Sequence, residues 1–228
     1  MTAHRVRRLT NPLSAVYQKN VEIPNWESIW NDLSRPIHLD IGCGKGGYLL
    51  ELSKQNPGWN FLGTELRKPW VEHARSFEAQ NLYYLHCNIN LWIEALLNSF
   101  PQNQLKRISI QFPDPWVKKR HLKRRIVTPQ LVEILTKYIP METEVFVQSD
   151  VEAVFQSMFD LFGGQGGFQF SSVTGNPFGL ESEWEKDALV GARPIWRGLF
   201  VRRGHDLIST QKHAIKAPPL GGLYESLF

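Results

Sequence analysis

The stretch Ile37-His38-Leu39-Asp40-Ile41-Gly42-Cys43-Gly44-Lys45-Gly46-Gly47 decides how this chain is read. Its first five residues alternate as a β-strand and run straight into a glycine-rich turn. Gly42, Gly44 and Gly47 then fit G-x-G-x-x-G between that strand and a helix expected from about Gly47 to Gln55. Glycine lets a backbone turn sharply and come close to a ligand. Tyr48 stands where a phosphate-binding loop would carry Lys after Gly47, so that loop type does not fit. Taken alone, the pattern is also what a tight strand-to-helix turn with no ligand would show.

Strands and helices alternate outward from this unit. Further strands are expected at Asn60 to Glu65, Leu82 to His86, Arg107 to Phe112, Glu144 to Gln148, Phe168 to Val173 and about Ile195 to Val201. Helices are expected from Pro69, over Leu91 to Asn98, after a Thr128-Pro129 cap, and over Val151 to Phe162. Upstream, Trp26, Ile29, Trp30 and Leu33 fall at i, i+3, i+4 and i+7 and predict a short helix opened by Pro24 and Asn25. This alternation implies a Rossmann-like α/β fold: a doubly wound, mostly parallel sheet with helices on both faces and an antiparallel last strand. Ligands on such sheets bind outside the carboxyl ends of the strands, near the topological switch point. That rule selects the segments after Ile41, Glu65, His86, Phe112 and Gln148.

The chain has 228 residues, 42% of them hydrophobic and 21% charged, which fits an ordinary globular protein rather than a disordered or fibrous one. A single domain over 1–228 is expected, with a mobile basic arm (about 1–24, carrying Arg5, Arg7 and Arg8) and a tail (about 204–228). The two cysteines, Cys43 and Cys87, belong to no paired Cys/His motif, so neither a disulfide framework nor a metal site is expected. No apolar run approaches the roughly eighteen residues of a membrane span, and MTAHRVRRLT lacks the apolar segment of a secretory signal. A cytoplasmic protein is the expectation.

Two acids give the glycine turn chemical meaning. Glu65, at the end of the second strand, is placed to accept both hydroxyls of an adenosine ribose, equally for NAD and for S-adenosylmethionine. Asp40, just before the glycines, discriminates between them. A carboxylate there repels a pyrophosphate but welcomes an amino-acid ammonium and a sulfonium. S-adenosylmethionine is therefore the better fit. Asn88, after the third strand, is a candidate for reading adenine, although a loop Asn is also an ordinary turn residue.

The fourth strand leads into Phe112-Pro113-Asp114-Pro115-Trp116, where two prolines hold Asp114 with little conformational freedom and Trp116 offers a flat aromatic face. Six Lys and Arg residues follow within eight positions: Lys118, Lys119, Arg120, Lys123, Arg124 and Arg125. At the ligand-binding edge of the sheet, that density suits phosphate contacts on a folded nucleic acid.

With LDIGCGKGGYLLEL upstream and Ser149-Asp150-Val151-Glu152 downstream, FPDPWVKKRHLKRR resembles the bacterial tRNA (guanine-N7)-methyltransferase family. The resemblance covers roughly residues 36–201. It implies a class I methyltransferase fold, S-adenosylmethionine as cofactor, and tRNA as partner, methylated at N7 of the variable-loop guanosine, position forty-six. It further implies that Asp40, Gly42, Gly44, Glu65 and Asn88 bind the cofactor, that Asp114 is catalytic, and that Lys118 and Asp150 bind substrate. Lys123, Arg124 and Arg125 are expected to join them on the RNA. The family's Thr-x-x-Glu substrate motif aligns with Ser182-Glu183-Trp184-Glu185, so Ser182 and Glu185 are expected on the substrate as well. Three departures stand out: Ser182 for Thr, Asp187-Ala188 for Arg-Gly, and Asn88 for an aspartate. The competing readings are a methyltransferase of the same fold on another RNA, a protein or a small molecule, a nucleotide-binding oxidoreductase, and an RNA-binding module without catalysis.

Overall fold

The computed structural model describes residues 9–77, 79–164 and 166–204. Its seven strands are β1 (Ile37–Ile41), β2 (Asn60–Glu65), β3 (Leu82–His86), β4 (Leu105–Gln111), β5 (Glu144–Ser149), β6 (Phe168–Ser171) and β7 (Trp196–Arg202). They form one sheet in the order β3-β2-β1-β4-β5-β7-β6. β1 to β5 pair in parallel, whereas β7 runs antiparallel to both β5 and β6. The helices are α1 (Gly47–Gln55), α2 (Lys68–Arg75), α3 (Ile89–Ser99), α4 (Pro129–Tyr138), α5 (Glu152–Gly164) and α6 (Glu183–Val190). This is the doubly wound Rossmann-like architecture expected from the sequence.

Strand alternation sorts side chains into two cores. Ile37, Leu39 and Ile41 of β1 join Ile108, Ile110, Val145 and Val147 in a cluster roofed by α3, α4 and α5. On the other face, Phe61, Tyr84 and Phe146 pack with Tyr48, Leu49 and Leu52 of α1, Val71 and Ala74 of α2, and Phe178. His38 and Asp40 fall on this second face because they alternate with the first set. Burying an aliphatic side chain of this size contributes about 1.5–3 kcal/mol, so a one-residue slip of β1 would exchange that gain for buried polar groups.

Local chemistry explains the helix starts. The Thr128 hydroxyl accepts a hydrogen bond from the Leu131 amide (3.1 Å), and Pro129 follows as the first helical residue, as read from the sequence. Gly46, at φ +83°, turns the chain from the glycine loop into α1. A Cβ there would sit 2.7 Å from the Tyr84 ring, so the position tolerates only glycine.

Three local expectations are corrected. The predicted helix after Pro24 is a single tight turn, Trp26–Ser28. Its tryptophans satisfy the i, i+4 pattern by stacking, with ring centroids 4.7 Å apart, while the Trp26 indole donates to Ser99 Oγ and packs on Phe100. Packing on α3 has overridden the helical period. Within the segment expected as a mobile arm, Ala15–Tyr17 forms a tight turn, and Val21 and Ile23 pack on the main core. Arg5, Arg7, Arg8 and the tail beyond Gly204 lie outside the described residues. Finally, the basic run, where no helix is expected, forms two turns of 3₁₀ helix over Lys119–Arg124.

Among the described residues, no helix is long and apolar enough to cross a membrane. No group of three or more His, Cys, Asp or Glu among them could hold a metal ion. Cys43 and Cys87 are both free thiols. Burial pushes Cys87 up to about 12, with the Glu65 charge adding to the shift, so it is protonated at neutral pH.

Candidate active site

The strand order reverses at β1, whose neighbours are β2 on one side and β4 on the other. The chains leaving their carboxyl ends diverge and open a crevice there. Two adjoining cavities occupy it. The first is bordered by Glu65, Asn88 and Trp116, and the second by Asp40, Trp70 and Trp184. Gly42, Arg67, Gln111, Phe112 and Asp114 line both, so these five residues mark the junction.

Asp40 is 4% exposed and accepts a 2.5 Å hydrogen bond from Ser109 Oγ on β4. Burial raises its carboxyl to about 7; bonds from Ser109 and Gln111 oppose the rise, and the Glu65 charge adds to it. Space beside it comes from Gly63, its register partner on β2, where a Cβ would meet Cys43 and Tyr84 at 2.7 Å. Gly42 and Gly44, at φ +84° and +61°, bend the loop over this end of the strand.

Glu65 closes β2 and is 3% exposed. One oxygen accepts from the Gly44 amide (3.1 Å), and the Arg67 backbone and guanidinium bond to the carboxylate at 2.8–3.1 Å. The same guanidinium lies 3.2 Å over the Trp70 ring. A ribose reaching Glu65 must share the carboxylate with Arg67 or displace it. Asn88 stands at the cleft as the N-terminal cap residue of α3, but its amide donates to the carbonyls of Pro12 (3.0 Å) and Tyr17 (3.4 Å). Its expected adenine contact is thus partly taken up in tying down the N-terminal segment.

The Pro-Asp-Pro-Trp loop is held as its sequence suggests. Phe112 adopts φ +47°, a strained value for a bulky residue, and its amide donates to the Gln148 carbonyl. Asp114 accepts from the Thr10 amide at 2.9 Å, so the N-terminal segment reaches the predicted catalytic acid. Trp116 is buried, with Arg124 5.0 Å over its ring and Arg125 Nε donating to its carbonyl at 2.9 Å. Arg124 and Arg125, expected on phosphate, therefore serve the loop in this structure. Lys118, Lys119, Arg120 and Lys123 are exposed and carry the basic face.

The Ser182–Glu185 segment begins α6 as a capping box, with Ser182 Oγ and the Glu185 carboxylate each bonded to the other's backbone amide. Glu185 is 1% exposed, pairs with Arg197 at 2.7 Å and accepts from Gln148 Nε2 at 3.0 Å. It holds the helix start in place, while its neighbours Glu183 and Trp184 line the second cavity. Asp150 is similarly paired, with Arg193 at 3.0 Å. Arg67, Arg193, Arg197, Gln111, Gln148, Ser109 and His38 are not among the site residues expected from the sequence. For His38 and Ser109 a signal existed, since each faces the same side of the sheet as Asp40.

The fold and cleft define a Rossmann-like methyltransferase, and the family model described as "Putative methyltransferase" matches residues 34–182. Curated relatives narrow the class. A tRNA (guanine-N(7)-)-methyltransferase of Synechococcus elongatus (strain ATCC 33912 / PCC 7942 / FACHB-805) is 43% identical over 213 residues, spanning 90% of this chain and 100% of the relative. The same-named proteins of Synechocystis sp. (strain ATCC 27184 / PCC 6803 / Kazusa) and Nostoc sp. (strain PCC 7120 / SAG 25.82 / UTEX 2576) are 42% and 40% identical. They cover 89% and 87% of this chain and 99% and 94% of their own lengths. The chain belongs to the tRNA (guanine-N(7)-)-methyltransferase family.

The Glu185–Arg197 pair gives a direct prediction. Arg197→Met leaves a buried carboxylate without its cation, and breaking such a pair costs about 3–5 kcal/mol. Urea unfolding should register that loss; a change below about 1 kcal/mol would mean that Glu185 is not held by Arg197 in solution.

Proposed function

We propose that this chain transfers a methyl group from S-adenosylmethionine to N7 of the variable-loop guanosine of tRNA. The observation that carries the reading is the meeting of Asp40, Glu65 and Asp114 in one cleft beside an exposed basic turn, in a chain 43% identical to a relative of that name. A cytoplasmic location follows from such a substrate.

The donor set fits the cofactor. Asp40 is a buried carboxylate at the cavity wall that welcomes an ammonium, and Glu65 offers two acceptor oxygens at the end of β2. S-adenosylmethionine supplies an electrophilic methyl group on a positively charged sulfur. Guanine N7 has an in-plane lone pair and no proton, so the chain need not provide a general base. Its task is positioning and electrostatics.

Asp114 stands at the junction of the cavities, where charge passing onto the purine needs a counter-charge. Its carboxylate either stabilises that charge or accepts from the guanine N1–H and N2–H. Phe112 and the two prolines fix its direction. The exposed Lys118, Lys119, Arg120 and Lys123 hold tRNA phosphates, which bind a folded RNA by shape and charge. The Thr10 amide on Asp114 places the N-terminal segment beside the base site, so substrate entry must shift or share that bond.

The test is transfer of labelled methyl to an unmodified tRNA transcript, with nucleoside analysis of the product. Label should appear as 7-methylguanosine and vanish when the variable-loop guanosine is changed to adenosine. Label elsewhere in the RNA, or none, would refute the assignment. In the same assay Asp114→Ala should lower kcat about a hundredfold, the scale of losing one preorganised electrostatic contact. Near-normal turnover would remove Asp114 from catalysis. For the basic face, Lys118→Ala and Lys123→Ala should each flatten the dependence of log Kd for tRNA on log salt by about one unit. An unchanged slope would place the phosphate contacts elsewhere.

A further inference from the structure

We propose that Ser109, backed by His38, is the positioning residue that keeps the Asp40 carboxylate available as the receptor for the cofactor's α-ammonium. The inference rests on the cofactor reading above and adds two residues to it.

The geometry is a three-member chain across β1 and β4. Asp40 and Ser109 are register partners on adjacent parallel strands, and His38 lies two residues before Asp40 on the same face. Ser109 Oγ bonds Asp40 Oδ1 at 2.5 Å, and His38 Nε2 lies 2.9 Å from the same Oγ. His38 and Ser109 are both fully buried. A hydroxyl has one proton to give, and an ionised Asp40 can only accept. Ser109 therefore donates to Asp40, and its lone pair accepts from His38, which must carry its proton on Nε2. His38 Nδ1 is then an acceptor, and it has no partner among the described residues. Burial and the neighbouring Arg107 push the imidazole down to about 3, so it stays neutral and cannot itself neutralise Asp40.

The chain of bonds matters because of what surrounds Asp40. Glu65 on β2, Tyr48 on α1, Tyr84 on β3 and Cys43 on the loop all face it, and none of them brings positive charge. Among the described residues, no Lys, Arg or His forms an ion pair with Asp40. The groups that favour its ionised form are Ser109 and Gln111, both on β4. Gln111 Oε1 accepts from Gln148 (2.7 Å) and Asn176 (3.3 Å), which turns the donor end of that amide towards Asp40. Without the Ser109 hydroxyl, one of the two bonds that favour the ionised carboxyl is lost, and its pairing with an ammonium weakens.

Two ligands separate this role from a general effect on the pocket. S-adenosylhomocysteine carries the α-ammonium, whereas 5′-methylthioadenosine keeps the adenosine and lacks the amino-acid end. Calorimetric titration at pH 8 should show Ser109→Ala weakening S-adenosylhomocysteine about tenfold, the scale of a hydrogen bond to a charged group. The affinity for 5′-methylthioadenosine should stay within about twofold, and Ser109→Thr, which keeps the hydroxyl, should restore most of the loss. Equal weakening of both ligands, or no weakening of either, would overturn the inference. If Ser109→Ala does not fold, His38→Phe removes the donor to Ser109 and carries the same comparison. Selective loss of S-adenosylhomocysteine supports the inference, and equal loss overturns it. Wild-type protein that binds neither ligand would instead sink the cofactor reading itself, so the two failures are distinguishable.

Discussion

The central strand carries an acid into the interior of the sheet, and the architecture around the cleft is arranged to accommodate it. Removing a carboxylate from water costs several kcal/mol unless it is hydrogen-bonded or neutralised. Here Asp40 is met by Ser109 and Gln111 from the adjacent strand, and Gly63 gives up its side chain so that Cys43 and Tyr84 can close over the position. The cost is not fully offset, because the carboxyl sits near 7 rather than at its ordinary 3.8. An acid raised in the folded state takes stability away as pH climbs from about 4 to about 7, since the native form binds the proton more tightly. A ligand ammonium beside Asp40 reverses that sign: it favours the ionised form and draws the carboxyl down. Such a cation would relieve a group that burial destabilises.

The same polar layer continues away from the cofactor end. Gln111 is tied to Gln148, Gln148 to Glu185 and Arg197, and Glu185 through its capping box to the start of α6. The helix that presents Glu183 and Trp184 to the second cavity is therefore anchored to β4, the strand that leads into the Asp114 loop. A displacement of the α6 start by substrate would be felt at Gln111, which lines both cavities and also touches Asp40. Such a buried polar network is rigid when every member is satisfied, a property suited to a reaction that depends on alignment.

Much of this was legible in the sequence because the signals were local. Glycines after an alternating strand, the Thr128-Pro129 cap, and the Pro-Asp-Pro-Trp segment at a strand end each act within a few residues. The mostly parallel sheet and the cleft at its carboxyl edge follow from them. What stayed hidden was set by partners distant in sequence. Trp26 and Trp30 mimic a helix while stacking on each other, with Trp26 bonded to Ser99 at the end of α3. Nothing near Glu185 in the sequence announces its pairing with Arg197, and Arg124 and Arg125, expected on RNA phosphate, are engaged by Trp116 in the fold. The packing of residues 9–24 has the same origin: the bonds that dock this segment, from Thr10 to Asp114 and from Asn88 to Pro12, span 104 and 76 residues. No periodicity in the segment itself announces them.

The central claim is that Asp40 is a buried acid waiting for a cation, and its own titration tests that most directly. Carbon-13 NMR of aspartate-labelled protein, assigned by Asp40→Asn, can follow the carboxyl with pH in the free protein and with S-adenosylhomocysteine bound. The account predicts titration near 7 when free and a fall of at least about two units on binding, the shift expected of an acid beside a fixed positive charge. A carboxyl that titrates at the ordinary aspartate value, or one that binding leaves unmoved, would contradict it.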